Sequence, residues 1–398
     1  MKNKKLMILG ASILQVPAIK KAKEMGIEVV AVDMNAQAIG FKYADKSLVI
    51  STIDVENVVK AAKEEKIDGI MTLASDMPMR SVAATCKELG LIGIDEQTAI
   101  RATNKAEMKK CLKENGVPIS EFYKVSNKEE YNCAIKNFAQ RCMVKPVDNS
   151  GSRGIFLIED LSDKQLVEKA YEYSKQHSRS GDVIVEEYMR GPEVSVETIS
   201  IDGKCNVVQI TDKLTTGAPY FVEMGHSQPT KHDQATIEKI KQVAIKAVNA
   251  IGIKNGPSHT EIIVTEQGPK IVELGARLGG DCITTHLVPL STGVDLVESC
   301  ILIVLGIKPN LEKRFDKGSA IRYIPSYEGK FNCVYGVEEA KQLNGVKEVE
   351  IVKKVGEQLT KINSSTARIG FVIAQGENAE KAIEICENAI GKIKLEIE

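Results

Sequence analysis

Short apolar runs alternate with amphipathic stretches over residues 5–94. Strands are predicted at the runs KLMILG, IEVVAVD, GIMTLA and LIGI. Helices are predicted in the stretches between them, around 14–25, 55–65 and 80–89. Strands separated by helices of this length form parallel βαβ units, so the pattern indicates an open, doubly wound α/β sheet. Ligands of such sheets bind beyond the carboxyl ends of the strands. Those ends carry the polar residues Ser12, Asp33, Ser75 and Asp76.

A smaller α+β unit follows this first region. A helix is predicted over 105–115, because Gly116-Val117-Pro118 is a strong stop signal. Beyond it the pattern predicts a helix at 128–138, the strand RCMVKPV, a polar glycine loop, the strand GIFLI, a helix at 163–176 and the strand DVIVEEY.

The remainder of the chain is mostly strands. Residues 191–304 predict strands and a helix at 234–251, and residues 318–398 predict strands followed by a terminal helix. We expect four regions: an N-terminal sheet domain at 1–95, a linker helix and small lid at 96–187, a larger antiparallel α+β domain at 188–310, and a C-terminal lobe at 311–398.

Composition places this pattern in an ordinary globular protein. The chain has 398 residues, 43% of them hydrophobic, and its 53 Lys and Arg nearly cancel its 54 Asp and Glu. A balanced charge gives no general attraction for nucleic acid or an anionic membrane, so we expect neither as a partner. The nine cysteines form no CxxC pair and predict reduced thiols. With no signal-peptide pattern or bilayer-length apolar run, the expected location is the cytoplasm.

Two glutamates in the segment GPSHTEIIVTEQGPKIVELGARLGGD carry the most specific chemistry. Glu261 and Glu273 each lie in an alternating apolar run, and the turn signal EQGP between them predicts facing positions on antiparallel strands. Mg²⁺ takes oxygen ligands, often one or two carboxylates completed by phosphates and water. Arg277 follows at a glycine turn, where a guanidinium could clamp an oxyanion. A surface hairpin with solvated acids explains the same segment equally well.

Cationic side chains and glycines form a second group. Lys145 lies in an apolar strand, and the loop at 148–154 (DNSGSRG) returns directly into another strand. Small residues let backbone N–H groups approach phosphate oxygens, so we expect a hairpin lid over phosphates. Lys105 opens a helix, where the helix dipole disfavours a cation unless an anion is bound.

The strand DVIVEEY ends in residues suited to a purine ring. Backbone groups at Glu186, Glu187, Tyr188 and Met189 could bind an adenine edge, and Glu193 could accept the ribose hydroxyls. A charged strand end is the alternative interpretation of this stretch.

In order and spacing, these elements resemble the ATP-grasp superfamily of carboxylate-amine ligases over nearly the whole chain. The resemblance implies that Lys105 and Lys145 contact nucleotide phosphates beneath the loop Ser150, Gly151, Ser152 and Gly154. It also implies that residues 186–189 bind adenine, Glu193 binds ribose, and Glu261 and Glu273 hold Mg²⁺, with Mn²⁺ as an alternative ion. The implied architecture is a Rossmann-like N-terminal sheet, a small α+β lid, and a large antiparallel domain with a C-terminal lobe.

The motifs GHSQP, GPSHTE and ELGARLGG are most similar to the L-amino-acid ligase branch of that superfamily. The resemblance places Glu223 and His226 beside the substrate, His259 beside the metal strand, and Arg277 at the reacting phosphate. Many members carry Asn two residues after the second metal glutamate, whereas this chain has Gly275. Binding of a second metal ion is therefore in question.

The resemblance implies that ATP activates a small-molecule carboxylate as an acyl phosphate, which an amine then captures to form an amide or dipeptide. A biotin-carboxylase-like or purine-pathway enzyme that uses bicarbonate or formate is the second interpretation, and a non-catalytic nucleotide- or metabolite-binding protein is the third. An NAD dehydrogenase is disfavoured because the glycine fingerprint after the first strand is incomplete. No pattern predicts the oligomeric state beyond the general prevalence of homodimers.

Overall fold

The computed structural model describes residues 3–149, 151 and 153–398. The strands of the first two regions are β1 (Lys5–Leu9), β2 (Glu28–Asp33), β3 (Lys46–Val49), β4 (Gly69–Thr72), β5 (Phe122–Val125), β6 (Cys142–Pro146), β7 (Phe156–Ile158) and β8 (Val183–Glu187). The later strands are β9 (Glu193–Ile201), β10 (Lys204–Thr215), β11 (Glu223–Gln228), β12 (Gly256–Thr265), β13 (Gly268–Gly275), β14 (Gly318–Tyr323), β15 (Gly329–Tyr335), β16 (Val346–Ile351), β17 (Gln358–Leu359), β18 (Gly370–Gly376) and β19 (Lys394–Ile397).

The α-helices lie between these strands. They are α1 (Val16–Glu24), α2 (Val55–Glu65), α3 (Met79–Leu89), α4 (Glu96–Thr103), α5 (Lys105–Glu114), α6 (Lys128–Ile135), α7 (Lys164–Gln176), α8 (Gln234–Ile251), α9 (Val288–Thr292), α10 (Leu296–Val304), α11 (Val337–Lys341) and α12 (Ala379–Ile390). Several begin with a side-chain cap. Asn104, for example, accepts hydrogen bonds from the backbone N–H groups of Ala106 and Glu107 at the start of α5.

The N-terminal sheet is parallel, with the order β3-β2-β1-β4. Side chains alternate across β1, so Leu6 and Ile8 pack into one core and Met7 and Leu9 into another. Helices therefore cover both faces, which confirms the doubly wound α/β prediction.

The larger domain is built on a sheet with the order β13-β12-β9-β10-β11-β14-β18-β16, whose neighbouring strands are all antiparallel. A separate sheet, ordered β5-β8-β6-β7, forms the small α+β unit, and β17-β15-β19 form a third antiparallel group. The predicted combination of a parallel sheet, a small α+β lid and a large antiparallel domain is confirmed.

Some predicted elements are wrong in detail. The run LIGI at 91–94 is not a strand: the backbone N–H of Leu91 bonds to the carbonyl of Cys86, so the run turns back onto the end of α3. The strand β3 was not predicted, because it is a largely exposed edge strand with few buried apolar residues. The helix α4 was also missed, and the predicted terminal helix is followed by β19.

Within the described residues, no single helix has the length and hydrophobicity needed to cross a membrane. The segments Ile283–Thr292 and Leu296–Val304 reach that length only as a pair bent by 112°.

The C-terminal helix α12 is fixed by a close backbone contact. A Cβ atom built at Gly318 would lie 1.8 Å from the carbonyl oxygen of Asn378, the N-cap residue of α12. Any side chain at position 318 must therefore separate the start of this helix from β14.

We expect Gly318→Ala to destabilise the protein by roughly 1–3 kcal/mol, the usual cost of overpacking. Gly391→Ala, at the other end of α12, is the matched control, because an added Cβ there meets only ordinary contacts at 3.4 Å and φ is −61°. Thermal unfolding of the two variants measures the difference. Equal melting temperatures would contradict the tight packing of Gly318 against α12.

Candidate functional site

One face of the large sheet carries a row of ionisable side chains. Glu193, Ser195 and Glu197 alternate along β9 and therefore project from the same face. On the neighbouring strand β12, Glu261 is opposite Ser195 and His259 is opposite Glu197. Strand alternation and register thus gather polar groups that are distant in sequence.

The predicted metal-binding glutamates lie side by side. Glu261 and Glu273 are register partners on β12 and β13, next to a β-bulge. Within the described residues there is no cluster of three or more His, Cys, Asp or Glu side chains able to hold a metal. Two carboxylates nevertheless fit Mg²⁺ when phosphates and water supply its other ligands.

Each of these glutamates is paired with a buried lysine. Lys105 Nζ lies 2.7 Å from Glu273 Oε1, and Lys213 Nζ lies 3.1 Å from Glu261 Oε1. Lys105 also donates to the carbonyl oxygen of Asn149, at the start of the glycine loop. The carboxylates are therefore held by charge as well as by the sheet.

Lys213, which sequence reasoning missed, is the most highly connected of these cations. Its side chain is 4% exposed, and its Nζ lies 2.5 Å from Glu193 Oε1 and 3.8 Å from Glu223 Oε1, in addition to the contact with Glu261. Burial opposes the charge, but the three carboxylates hold the pKa of Lys213 well above its ordinary value.

His259 connects two of the carboxylates. Its Nδ1 lies 2.6 Å from Glu197 Oε1, and its Nε2 lies 3.5 Å from Glu261 Oε1. Burial alone would lower the pKa of His259, but Glu197 and Glu261 raise it to about 9. The imidazole and Lys213 therefore both contact the same oxygen of Glu261.

A second group of lysines surrounds Glu186. Lys145 Nζ lies 3.1 Å and Lys109 Nζ 3.3 Å from Glu186 Oε2, and all three side chains are buried. Lys109, which was not predicted, also donates to Ser120. Despite burial, the two lysines lower the pKa of Glu186. The Glu186 carboxylate is thus held by two lysines, and its backbone lies in a strand that is paired on both sides.

The remaining predicted adenine residues lie at and beyond the end of β8. The backbone N–H of Glu187 donates to the carbonyl of Glu121, the ring of Tyr188 lies 5.3 Å from the Arg141 guanidinium, and Met189 is buried.

The glycine loop has the backbone freedom that its sequence predicts. Gly151 and Gly154 have φ values of +66° and +81°, and a Cβ at Gly154 would lie 2.5 Å from the Cβ of His177. The predicted residues Ser150 and Ser152 lie outside the described part of the chain.

Arg277 projects from the segment after β13 toward the N-terminal sheet. Its Nε and Nη2 donate to Asp76 at 2.8 and 3.2 Å, in a bidentate pair. Asp76 follows β4, so the carboxyl edge of the parallel sheet meets the antiparallel domain at this contact.

The C-terminal lobe reaches the same region through Arg368. Its guanidinium donates two hydrogen bonds of 2.9 Å to Asp281 and stacks 3.7 Å from the centre of the Tyr323 ring. His226 Nε2 lies 3.4 Å from Asp281 Oδ2. His226 and Arg368 overcome burial and hold the pKa of Asp281 well below its usual range. Asp281 was not predicted as a site residue.

Many of the predicted residues line one cleft of about 470 Å³. They are Lys105, Lys145, Gly151, Glu223, His226, His259, Glu261, Glu273 and Arg277. Among the described predicted residues, Gly154, Glu186, Glu187, Tyr188, Met189 and Glu193 fall outside that lining.

Two buried polar atoms of cleft residues are unsatisfied. Ser195 Oγ and His226 Nδ1 have no hydrogen-bond partner among the described residues, and both residues line the cleft. Because buried polar groups normally find partners, unsatisfied ones indicate a place for water or a ligand.

Comparisons with known proteins match two parts of the chain to known domains. Residues 138–285 match the ATP-grasp domain model, and residues 322–398 match the model of L-amino acid ligase C-terminal domain 2. The L-arginine-specific L-amino acid ligase of Bacillus subtilis is 26% identical over 295 residues, which cover 73% of this chain and 71% of that protein.

Solved structures share the fold over nearly the full length. The L-amino acid ligase of Bacillus licheniformis has a TM-score of 0.86, with 22% identity and complete coverage of both chains. The biotin carboxylase domain of the Hydrogenobacter thermophilus 2-oxoglutarate carboxylase, solved with MgADP and bicarbonate, has a TM-score of 0.78 with 21% identity, and covers 99% of this chain and 91% of that one.

The two domain models cover strands β9, β12 and β13 of the site and the lobe that carries Arg368. Over the remainder of the chain, the fold is similar to that of the Bacillus licheniformis structure. The chain therefore contains an ATP-grasp domain and an L-amino acid ligase C-terminal domain, the combination that indicates an ADP-forming carbon–nitrogen ligase.

Proposed function

We propose that this enzyme activates an amino acid carboxylate with ATP as an acyl phosphate and joins it to an amine, forming a dipeptide or related amide with release of ADP and phosphate. The observation that carries the proposal is the pairing of Glu261 and Glu273 beside Lys105 and Lys213, in a cleft that also contains Arg277.

The site residues suit phosphoryl transfer, which depends mainly on positioning and neutralisation of charge. Glu261 and Glu273 would hold Mg²⁺, which supplies charge neutralisation at the phosphates when it is bound. Lys105 and Lys145 face the cleft and would bind phosphate oxygens. The loop around Gly151 would cover them and exclude water from the acyl phosphate.

Arg277 is suited to the charge that develops during acyl transfer. Asp76 fixes one edge of its guanidinium in a bidentate pair, which orients the group in the cleft. A guanidinium has five N–H donors, so donors remain for an oxyanion. Glu223 and His226 line the same cleft, and the unsatisfied Nδ1 of His226 is a further group for substrate.

A second cavity adjoins the main cleft. It measures about 810 Å³ and shares Leu14, Ala74, Gly280, Asp281, Ser365 and Thr366 with the main cleft. Its walls include the aromatic rings of Tyr323 and Phe371 and the carboxylates of Glu348 and Glu350. This space is large enough for an organic substrate such as an amino acid or amine beside the nucleotide.

Phosphate release measured across a pairwise matrix of amino acids with ATP and Mg²⁺ tests the proposal. We expect release to depend on particular pairs, with a product mass equal to the two substrates minus one water. Release that requires bicarbonate or formate and ignores amino acids would select the carboxylase-like or purine-pathway alternative. Nucleotide binding with no release for any substrate would select the non-catalytic one.

Arg277→Ala should lower kcat by roughly 10²–10³-fold, the usual cost of losing a donor to a developing oxyanion. ATP affinity should change much less, because Arg277 contacts the reacting group and not the nucleotide body. Steady-state kinetics and nucleotide titration measure the two effects. Arg314→Ala, which removes an exposed arginine, is the control. Unchanged turnover in Arg277→Ala would show that another cation stabilises the developing oxyanion.

Glu261→Gln and Glu273→Gln should each raise the Mg²⁺ concentration for half-maximal activity roughly 10-fold or more, since even groups that only support metal ligands have effects of this size. Glu266→Gln, in the exposed turn of the same hairpin, is the matched control. Activity measured against Mg²⁺ concentration gives the comparison. The same half-saturating Mg²⁺ concentration in all three variants would contradict the assignment of Glu261 and Glu273 as metal ligands.

A further inference from the structure

The two proposed metal carboxylates already have cationic partners from the protein itself. Lys105 Nζ lies 2.7 Å from Glu273 Oε1, and Lys213 Nζ lies 3.1 Å from Glu261 Oε1. A divalent ion that bound this pair would be repelled by both ammonium groups at short range. Lysine and metal therefore compete for the same two side chains.

The two lysines differ in how firmly they are held. Lys213 is surrounded by Glu193, Glu223 and Glu261 and is 4% exposed. Lys105 has one carboxylate partner and one carbonyl, that of Asn149, and its side chain is 10% exposed. Three carboxylates hold an ammonium group more strongly than one, so Lys105 is the partner that can move.

The position of Lys105 also allows it to contact phosphate oxygens in the cleft. It lies at the first turn of α5 and lines the cleft together with Lys145, Gly151 and Glu273. The helix dipole disfavours a cation at this end and favours an anion near it. Phosphate oxygens entering the cleft would therefore draw Lys105 away from Glu273.

The neighbouring position 275 offers no replacement ligand. A Cβ at Gly275 would lie 2.6 Å from Asp76 Oδ1 and 3.2 Å from Arg277 Nε. The Asp76–Arg277 pair thus fills the space that a ligating side chain there would use. Without phosphates, the protein presents two carboxylates, and both are neutralised.

We propose that Lys105 is an exchangeable counter-ion: it occupies Glu273 in the nucleotide-free protein and transfers to phosphate oxygens as nucleotide binds. The divalent ion consequently enters only with the nucleotide. This inference rests on the proposed metal–nucleotide site and goes beyond it, because it assigns Lys105 a role that opposes metal binding before nucleotide arrives.

Two binding measurements on the intact protein test the exchange. Mn²⁺ alone is titrated and followed by electron paramagnetic resonance, and MgADP is titrated by calorimetry. The free wild-type protein should bind Mn²⁺ weakly and bind it strongly when ADP is present. Lys105→Met should strengthen Mn²⁺ binding without nucleotide by roughly 10-fold or more and weaken MgADP binding by a similar factor, because the same charge acts in opposite directions.

Opposite changes in the two affinities separate exchange from a structural defect, which would weaken both. Lys105→Arg keeps the charge and should keep Mn²⁺ binding weak without nucleotide, and Lys110→Met, at an exposed position of the same helix, should behave as wild type. The wild-type titration remains decisive if Lys105→Met does not fold.

Tight Mn²⁺ binding by the free wild-type protein, or weaker Mn²⁺ binding in Lys105→Met, would overturn the inference while leaving the proposed function intact. Failure of the wild-type protein to bind MgADP under any condition would overturn the proposed function as well.

Discussion

Charge balance among side chains on one sheet face is the constraint on which this site depends. Strand alternation forces Glu193 and Glu197 onto the same face of β9, and register brings Glu261 beside them. Carboxylates gathered in a partly buried cleft cost free energy unless cations accompany them. Lys213, Lys105 and His259 meet that requirement, so the arrangement of cations follows from the arrangement of strands.

The same constraint explains how separate parts of the chain are joined. Asp76, after a strand of the parallel sheet, pairs with Arg277 of the antiparallel domain, and Asp281 of that domain pairs with Arg368 of the C-terminal lobe. Each contact is a bidentate ion pair that borders the cleft. Charged groups that border the cleft therefore also hold its walls together.

The sequence predicted features that depend on local pattern. The βαβ units, the helix at 105–115, the hairpin that pairs Glu261 with Glu273 and the glycine loop all have short-range signals, and the order of the motifs led to the ATP-grasp family. Lys213, Lys109 and Asp281 were missed because their importance depends on neighbours distant in the chain. Lys213 meets Glu261 only after β9 has paired with both β10 and β12, and a single lysine in a strand carries no signal of that pairing. The edge strand β3 was missed for the opposite reason, since it buries too little apolar surface.

The contact between Arg368 and Asp281 links the C-terminal lobe to the charge of the cleft. Asp281 has a positive φ of 48°, uncommon for a residue other than glycine, and a carboxylate that is only partly exposed. Without the C-terminal lobe, this negatively charged residue would lie beside the cleft with no guanidinium to offset it. The C-terminal lobe therefore completes the charge balance of the cleft wall, and the antiparallel domain by itself would lack that compensation.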